Sequence, residues 1–281
     1  MTPQLKHKRD LLLQCLKNYG RVAVAFSGGV DSALVAKAAA LACGDQALAV
    51  TGVSASLASG ELEQARQVAE QIGIRHEVIE TQEFLVAGYQ ANAGDRCYFC
   101  KSELYAGLGD LRSRFPVDVV CNGANLDDQG DHRPGMRAAT ENEVRSPLME
   151  CGFTKQDVRD LAQAWDLPVW DKPATPCLSS RIAYGVSVTP ERVRRIDAAE
   201  SFLRERLGLR ELRVRLEQND LARIEVPVAA LEELTDPDVR TQVVETFRGL
   251  GFRYVTLDLQ GFRSGSLNDS LPIVSLQVNR P

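Results

Sequence analysis

The run Ser27-Gly28-Gly29-Val30-Asp31-Ser32 lies directly between a strand-like stretch, Val22-Ala23-Val24-Ala25-Phe26, and a helix-like one from Asp31 to Leu41. Adjacent glycines let a backbone turn sharply and bring several N–H groups to one anion, and the start of the following helix adds its positive end. The order strand, glycine turn, helix therefore predicts a pyrophosphate loop that holds ATP, with Ser27, Gly28, Gly29, Asp31 and Ser32 as its contact residues. Ser27 and Ser32 supply hydroxyls. Asp31 has the wrong charge to sit beside phosphate, which makes sense if Mg²⁺ bridges its carboxylate to the ligand; that role counts Asp31 among the candidate catalytic residues. A Walker loop needs a Lys after the second glycine and wider spacing, so kinase and switch-GTPase chemistry are disfavoured.

The elements around the loop extend the same pattern. A helix over 6–18 precedes strand 22–26, and helix 31–42, strand 47–53, helix 58–71 and strand 76–79 follow it. Another strand, 117–121, ends in the polar turn Asn122-Gly123-Ala124-Asn125. Such alternation predicts an α/β fold, a parallel sheet wound with helices, with ligands at the carboxyl ends of its strands. The stretch 122–150 reads as a polar loop. Thr154, with Asp157 three residues on, predicts a capped helix over 154–165. Segment 168–185 holds three prolines and few regular-structure signals, and long irregular segments in compact domains are usually functional. From Pro190 a long amphipathic helix, strands 211–216 and 221–226, a helical region 228–248 and a strand 254–257 predict a smaller α+β domain. The expected division is 1–185 for nucleotide binding and 186–281 for substrate binding or oligomerisation.

A chain of 281 residues with 44% hydrophobic and 25% charged content is ordinary for a globular protein, and no stretch approaches the ~20 apolar residues of a membrane span. Leu11-Leu12-Leu13 is too short for a signal-peptide core, so a cytoplasmic location without membrane attachment is expected. The formal net charge of −5 provides no global basic field for nucleic acid. Seven cysteines against three histidines, without export features, predict reduced thiols rather than a disulfide framework. Cys15, Cys43, Cys121 and Cys151 stand singly and read as small buried hydrophobes. Cys97-Tyr98-Phe99-Cys100 at the start of a helix can converge two thiolates on one metal. A thioredoxin-like redox pair is the other use of that spacing. Zinc normally wants four ligands, and no second C-x-x-C or C-x-x-H exists. Three thiolates, with Cys177 completing the set, suit a [4Fe-4S] cluster with one iron open for an exogenous sulfide.

These motifs together carry a resemblance. Besides the loop at 27–32, they include Arg96-Cys97-Tyr98-Phe99-Cys100-Lys101 with Glu103-Leu104-Tyr105, Asn125-Leu126-Asp127-Asp128, Arg133-Pro134-Gly135 and Ser146-Pro147-Leu148. Cys177-Leu178-Ser179-Ser180-Arg181-Ile182 and Arg213-Val214-Arg215 complete the set. The chain resembles, from about residue 20 to Asn268, the LarE family of ATP-dependent sulfur transferases in the adenine nucleotide alpha hydrolase superfamily. The loop is common to the superfamily; the Cys177 segment and the Arg213/Arg215 pair are far more specific.

The resemblance implies a pyridinium-3,5-dicarboxylate mononucleotide substrate. Its carboxylates would be adenylylated and converted to thiocarboxylates on the way to a nickel-pincer nucleotide. Two sulfur sources occur in the family: a cysteine at the Cys177 position that gives up its own sulfur, or a cluster on a C-x-x-C pair plus that cysteine. Cys97, Cys100 and Cys177 favour the cluster form, loaded by sulfide or another sulfur donor. Arg213 and Arg215 alternate on a strand, so both side chains point one way, and they are expected to hold the substrate's phosphate or pyrophosphate; Arg181 and Arg133 are further candidates. Glu200 resembles a family acidic residue near the substrate site, although a helix position facing solvent would also suit it; Asp128 is a candidate for metal, nucleotide or substrate binding, and Lys101 is a candidate proton carrier. Relatives form homo-oligomers, often hexamers. The rival reading is a tRNA thiolase of the same superfamily, against which the acidic charge counts.

Overall fold

The computed structural model describes residues 1–128 and 134–263. It divides into two compact units, Met1–Tyr89 with Asp95–Pro176, and Gln90–Gly94 with Cys177 onward.

The first unit runs α1 (Pro3–Tyr19), β1 (Val22–Ala25), α2 (Val30–Cys43), β2 (Ala47–Val53), α3 (Glu61–Ile72), β3 (Arg75–Glu80), α4 (Ala87–Ala91, shared with the second unit), α5 (Arg96–Asp110), β4 (Val119–Cys121), α6 (Pro134–Glu141), α7 (Pro147–Glu150) and α8 (Lys155–Ala164). The strands form one sheet in the order β3-β2-β1-β4, every pair parallel. Strand alternation sends Val22 and Val24 into the core shared with α1, α2, α3 and α8, and Ala23 into the core shared with α5 and α6. Helix α2 is buried on nearly every side, from Val30 through Ala39, because Ala-Leu-Val-Ala runs let it pack closely against the sheet and its helical neighbours. The parallel sheet and its covering helices are the fold class that the alternation predicts.

In the second unit α9 (Pro190–Leu207) precedes β5 (Arg213–Glu217), β6 (Leu221–Glu225), α10 (Leu231–Thr235), α11 (Pro237–Gly249) and β7 (Tyr254–Leu257). The sheet order is β5-β6-β7, with β5 and β6 antiparallel and β6 and β7 parallel.

One expectation about local structure fails. The stretch 122–150 is not a continuous loop: α6 and α7 lie within it, each opened by a proline at its first turn. Ala138 and Ala139 supply α6 with a buried face, too short a periodic signal to stand out among so many charges.

Candidate active site

The phosphate loop is built from its own side chains. Gly28 has φ +70°, a conformation that favours glycine, and a Cβ there would meet Ala65 Cα at 3.0 Å. Gly29 is the N-cap of α2 and makes no side-chain cap bond, so the first-turn amides of α2 keep the positive end that an anion seeks. Ser32 is buried; its Oγ donates to Gly29 O (3.1 Å) and accepts from Ser27 N (3.2 Å). Ser27 Oγ accepts from Gly29 N (3.3 Å). The two hydroxyls thus brace the loop itself.

Asp31 accepts from Asn125 Nδ2 at 3.0 Å and from Lys155 Nζ at 2.5 Å. Lys155 is the principal residue that sequence reasoning missed. Thr154 caps α8 with a complete capping box, which puts Lys155 at the first helical position, but only the fold brings α8 beside α2. The Lys155 ammonium balances the Asp31 charge beside the glycine loop, and the hard carboxylate oxygens equally fit Mg²⁺. Asp127 Oδ2 takes the Lys155 backbone N–H, and Asp128 accepts from Asn125 N at 3.0 Å, closing the turn that carries Asn125. A Cβ on Gly123 would stand 2.8 Å from Ser32 N, so the turn after β4 lies against the loop.

Glu83 is also absent from the sequence reading. It is 1% exposed, receives Ser54 Oγ (2.5 Å) and Ser56 Oγ (3.3 Å) on Oε1, and leaves Oε2 buried without a hydrogen-bond partner. These residues follow the carboxyl ends of β2 and β3, the edge where ligands of parallel sheets bind.

Cys97 and Cys100 lie in the first turns of α5, exposed and half-buried respectively. The aromatics between them are anchored. A Cβ on Gly88 would overlap the Phe99 ring, and Tyr98 OH donates to Glu141 Oε2 (2.6 Å) with Arg137 over its ring. Exposed Lys101 lays its stem against Gly135. Burial raises the Cys43 thiol, pushes Cys151 up to about 12 and raises Cys121 strongly, which suits small hydrophobes rather than reactive groups.

Within the second unit Cys177 is half-buried and begins the 3₁₀ turn Leu178–Arg181. Its carbonyl accepts from Ser180 N (2.9 Å), Ser180 Oγ (2.7 Å) and Arg181 Nη1 (3.0 Å). Arg181 is fully buried and paired with fully buried Glu200 at 3.0 Å, and Glu200 also receives Val214 N and Arg204. Glu200 is therefore no solvent-facing helix residue. Arg215 is paired with buried Glu225 (3.0 Å) and donates to Ser180 O (2.9 Å). Arg213, 8% exposed, donates to Leu212 O and lies over the Phe262 ring. Burial and its neighbour Arg181 push the Arg213 guanidinium down to about 10, Glu200 acting the other way and Arg215 and Arg204 adding to the fall. Arg181, Arg213 and Arg215 are all buried, Arg181 and Arg215 with carboxylate partners.

Arg133 lies outside the described residues. Among those described, no three His, Cys, Asp or Glu side chains are gathered as a metal set. Cys97 and Cys100 belong to one unit and Cys177 to the other.

An asparagine synthase family model matches residues 9–91, which span the glycine loop. Over 95% of this chain and 96% of its own length, the pyridinium-3,5-bisthiocarboxylic acid mononucleotide synthase of Lactiplantibacillus plantarum is 39% identical. The chain belongs to the LarE family. It is thus an ATP-dependent sulfurtransferase built on the pyrophosphate-loop fold. This LarE-family chain is also 47% identical, over 94% of its length and 98% of the other's, to an uncharacterized protein of Synechocystis sp.. By contrast, a tRNA-specific 2-thiouridylase of Beijerinckia indica is 29% identical over 54% of the LarE-family chain and 44% of its own. Among the described residues no helix is long and apolar enough to cross a membrane.

Proposed function

We propose that this LarE-family protein adenylylates the carboxylates of a pyridinium-3,5-dicarboxylate mononucleotide and replaces a carboxylate oxygen by sulfur, in nickel-pincer nucleotide biosynthesis. The relation to the Lactiplantibacillus synthase over nearly the whole of both chains carries this reading, and the built phosphate loop supports it. A carboxylate resists a sulfur nucleophile because it is anionic and would have to expel oxide. Its oxygen therefore attacks the α-phosphorus of ATP, the α–β phosphoanhydride bond breaks, and pyrophosphate leaves. The amides of α2 and the braced glycine turn hold that pyrophosphate, with Asp31 and Lys155 setting the charge beside it. Sulfur then attacks the acyl carbon, the bond to AMP breaks, and a thiocarboxylate remains. Arg213, Arg215 and Arg181 bind the substrate's phosphate, Glu200 and Glu225 hold the guanidinium groups in place, and Asp128 and Lys101 serve the nucleotide edge and proton movement.

The finer part of the proposal concerns the sulfur. Three accessible or half-buried thiols match the donor chemistry of an iron–sulfur centre, although the described structure does not gather them. Cys97, Cys100 and Cys177 would hold a [4Fe-4S] cluster, which would supply sulfide to the activated carboxyl. The second reading has the Cys177 sulfur itself displace AMP from the acyl carbon, after which the Cα proton and the Cβ–Sγ bond are lost and dehydroalanine remains; the half-buried position of Cys177 supports that equally. The chain acts as a cytoplasmic homo-oligomer in either case.

The deciding experiment is anaerobic iron and acid-labile sulfide content for wild type and Cys177→Ala. About four iron per wild-type chain, lost in the variant, is the outcome expected. No iron after reconstitution, with Cys177 losing hydrogen sulfide during turnover, replaces the cluster by the sacrificial route. If neither form releases pyrophosphate with the dicarboxylate substrate, the functional reading itself fails.

A further inference from the structure

Asn92 lies in the five-residue stretch Gln90–Gly94 that belongs to the second unit although the chain on either side belongs to the first. It is 0% exposed and has φ +53°, a left-handed conformation that asparagine tolerates better than most residues. Its side-chain amide nitrogen donates to Ala183 O (2.9 Å), Val186 O (3.0 Å) and Ile182 O (3.3 Å). Three converging acceptors leave only one orientation of that amide possible. The backbone adds to the grip: Asn92 O accepts from Gly185 N (3.2 Å) and Gln90 O from Val188 N (2.9 Å).

The segment held this way directly follows Cys177–Arg181. On its other side it joins β5, with Ile182 bridged to Leu216 and Ala183 N donating to Leu216 O at 3.0 Å. The bonds from Asn92 to Ile182, Ala183 and Val186 thus anchor the chain one to five residues beyond the turn that Cys177 begins.

We propose that Asn92 is the positioning residue of the sulfur-transfer site. By pinning residues 182–186 it sets the approach of the Cys177 thiol and the Arg181 guanidinium to the substrate held by Arg213 and Arg215. The inference rests on the proposed role of Cys177 and the arginines. Asn92 touches no reacting atom; its effect passes through the backbone.

Asn92→Gly keeps the left-handed backbone and deletes the amide. The tests are thiocarboxylate formation from the pyridinium dicarboxylate mononucleotide, and iodoacetamide alkylation of Cys177 relative to Cys97, with both proteins stripped of any iron by chelation, read by peptide mass mapping. The expected result is a kcat about 10²-fold lower with KM for ATP unchanged, and a several-fold faster Cys177 alkylation at an unchanged Cys97 rate. A wild-type kcat together with a wild-type Cys177-to-Cys97 ratio overturns the proposal. Should the variant not fold, hydrogen exchange of the wild-type protein decides: the Gly185 and Val188 amides must exchange as slowly as the β5–β6 ladder, and fast exchange overturns the proposal. A shifted alkylation ratio in a protein whose wild type makes no thiocarboxylate upholds the positioning and sinks the functional reading instead.

Discussion

At the scale of single residues, Gly28 carries the sharpest constraint. Its φ of +70° and the 3.0 Å approach of Ala65 Cα to a would-be Cβ act together. Gly28→Ala is expected to lower stability by about 1–2 kcal/mol and to abolish ATP binding, read by thermal melting and calorimetry; ATP affinity within twofold of wild type would remove the loop from the nucleotide site. The need for glycine here was legible, because two glycines between a strand and a helix have few other uses. Lys155 and Glu83 were not. A lysine at a helix start and a glutamate after a strand are commonplace, and only the packing of α8 against α2, and the turn after β3, bring one to Asp31 and bury the other beside Ser54.

At the scale of elements, α8 shows local signals agreeing with the fold. Thr154 accepts from Asp157 N, and Asp157 takes Thr154 N (2.9 Å) and Lys8 Nζ of α1 (2.7 Å). Burial raises the Asp157 carboxyl, but the bonds from Lys8 and Thr154 outweigh it and hold it below its ordinary value. A carboxyl depressed in the folded state stabilises above its unfolded pKa of ~3.9, and that contribution is lost as pH falls through the folded value. Asp157→Asn is therefore expected to cost about 1 kcal/mol near neutrality, since both partners are partly exposed. The gap between variant and wild-type melting should close in acid below ~pH 3.9; a gap constant with pH would show that the carboxylate charge is not what matters. The start of α8 was visible in Thr154 and Asp157 alone, whereas α6 was hidden because its apolar face consists of little more than Ala138 and Ala139.

At the scale of the whole molecule, the nucleotide loop and the arginine cluster belong to different compact units, so their ligands should be separable. Arg213→Ala is expected to weaken binding of the pyridinium dicarboxylate mononucleotide by about 2 kcal/mol, the loss of a charged hydrogen bond, while leaving ATP affinity unchanged; calorimetry with each ligand checks both. Unchanged affinity and turnover with the dicarboxylate would take Arg213 out of the site. The sequence by itself determined the parallel sheet and the glycine loop between its first strand and helix, because short-range rules of turn and period govern them. The tertiary structure alone decided that Glu200 and Arg181 are a fully buried pair, that Asn92 reaches from residue 92 to the turn after Cys177, and that Lys155 balances Asp31. Each of these joins residues far apart in the chain, and burial and hydrogen bonding between distant segments leave no periodic trace in either one.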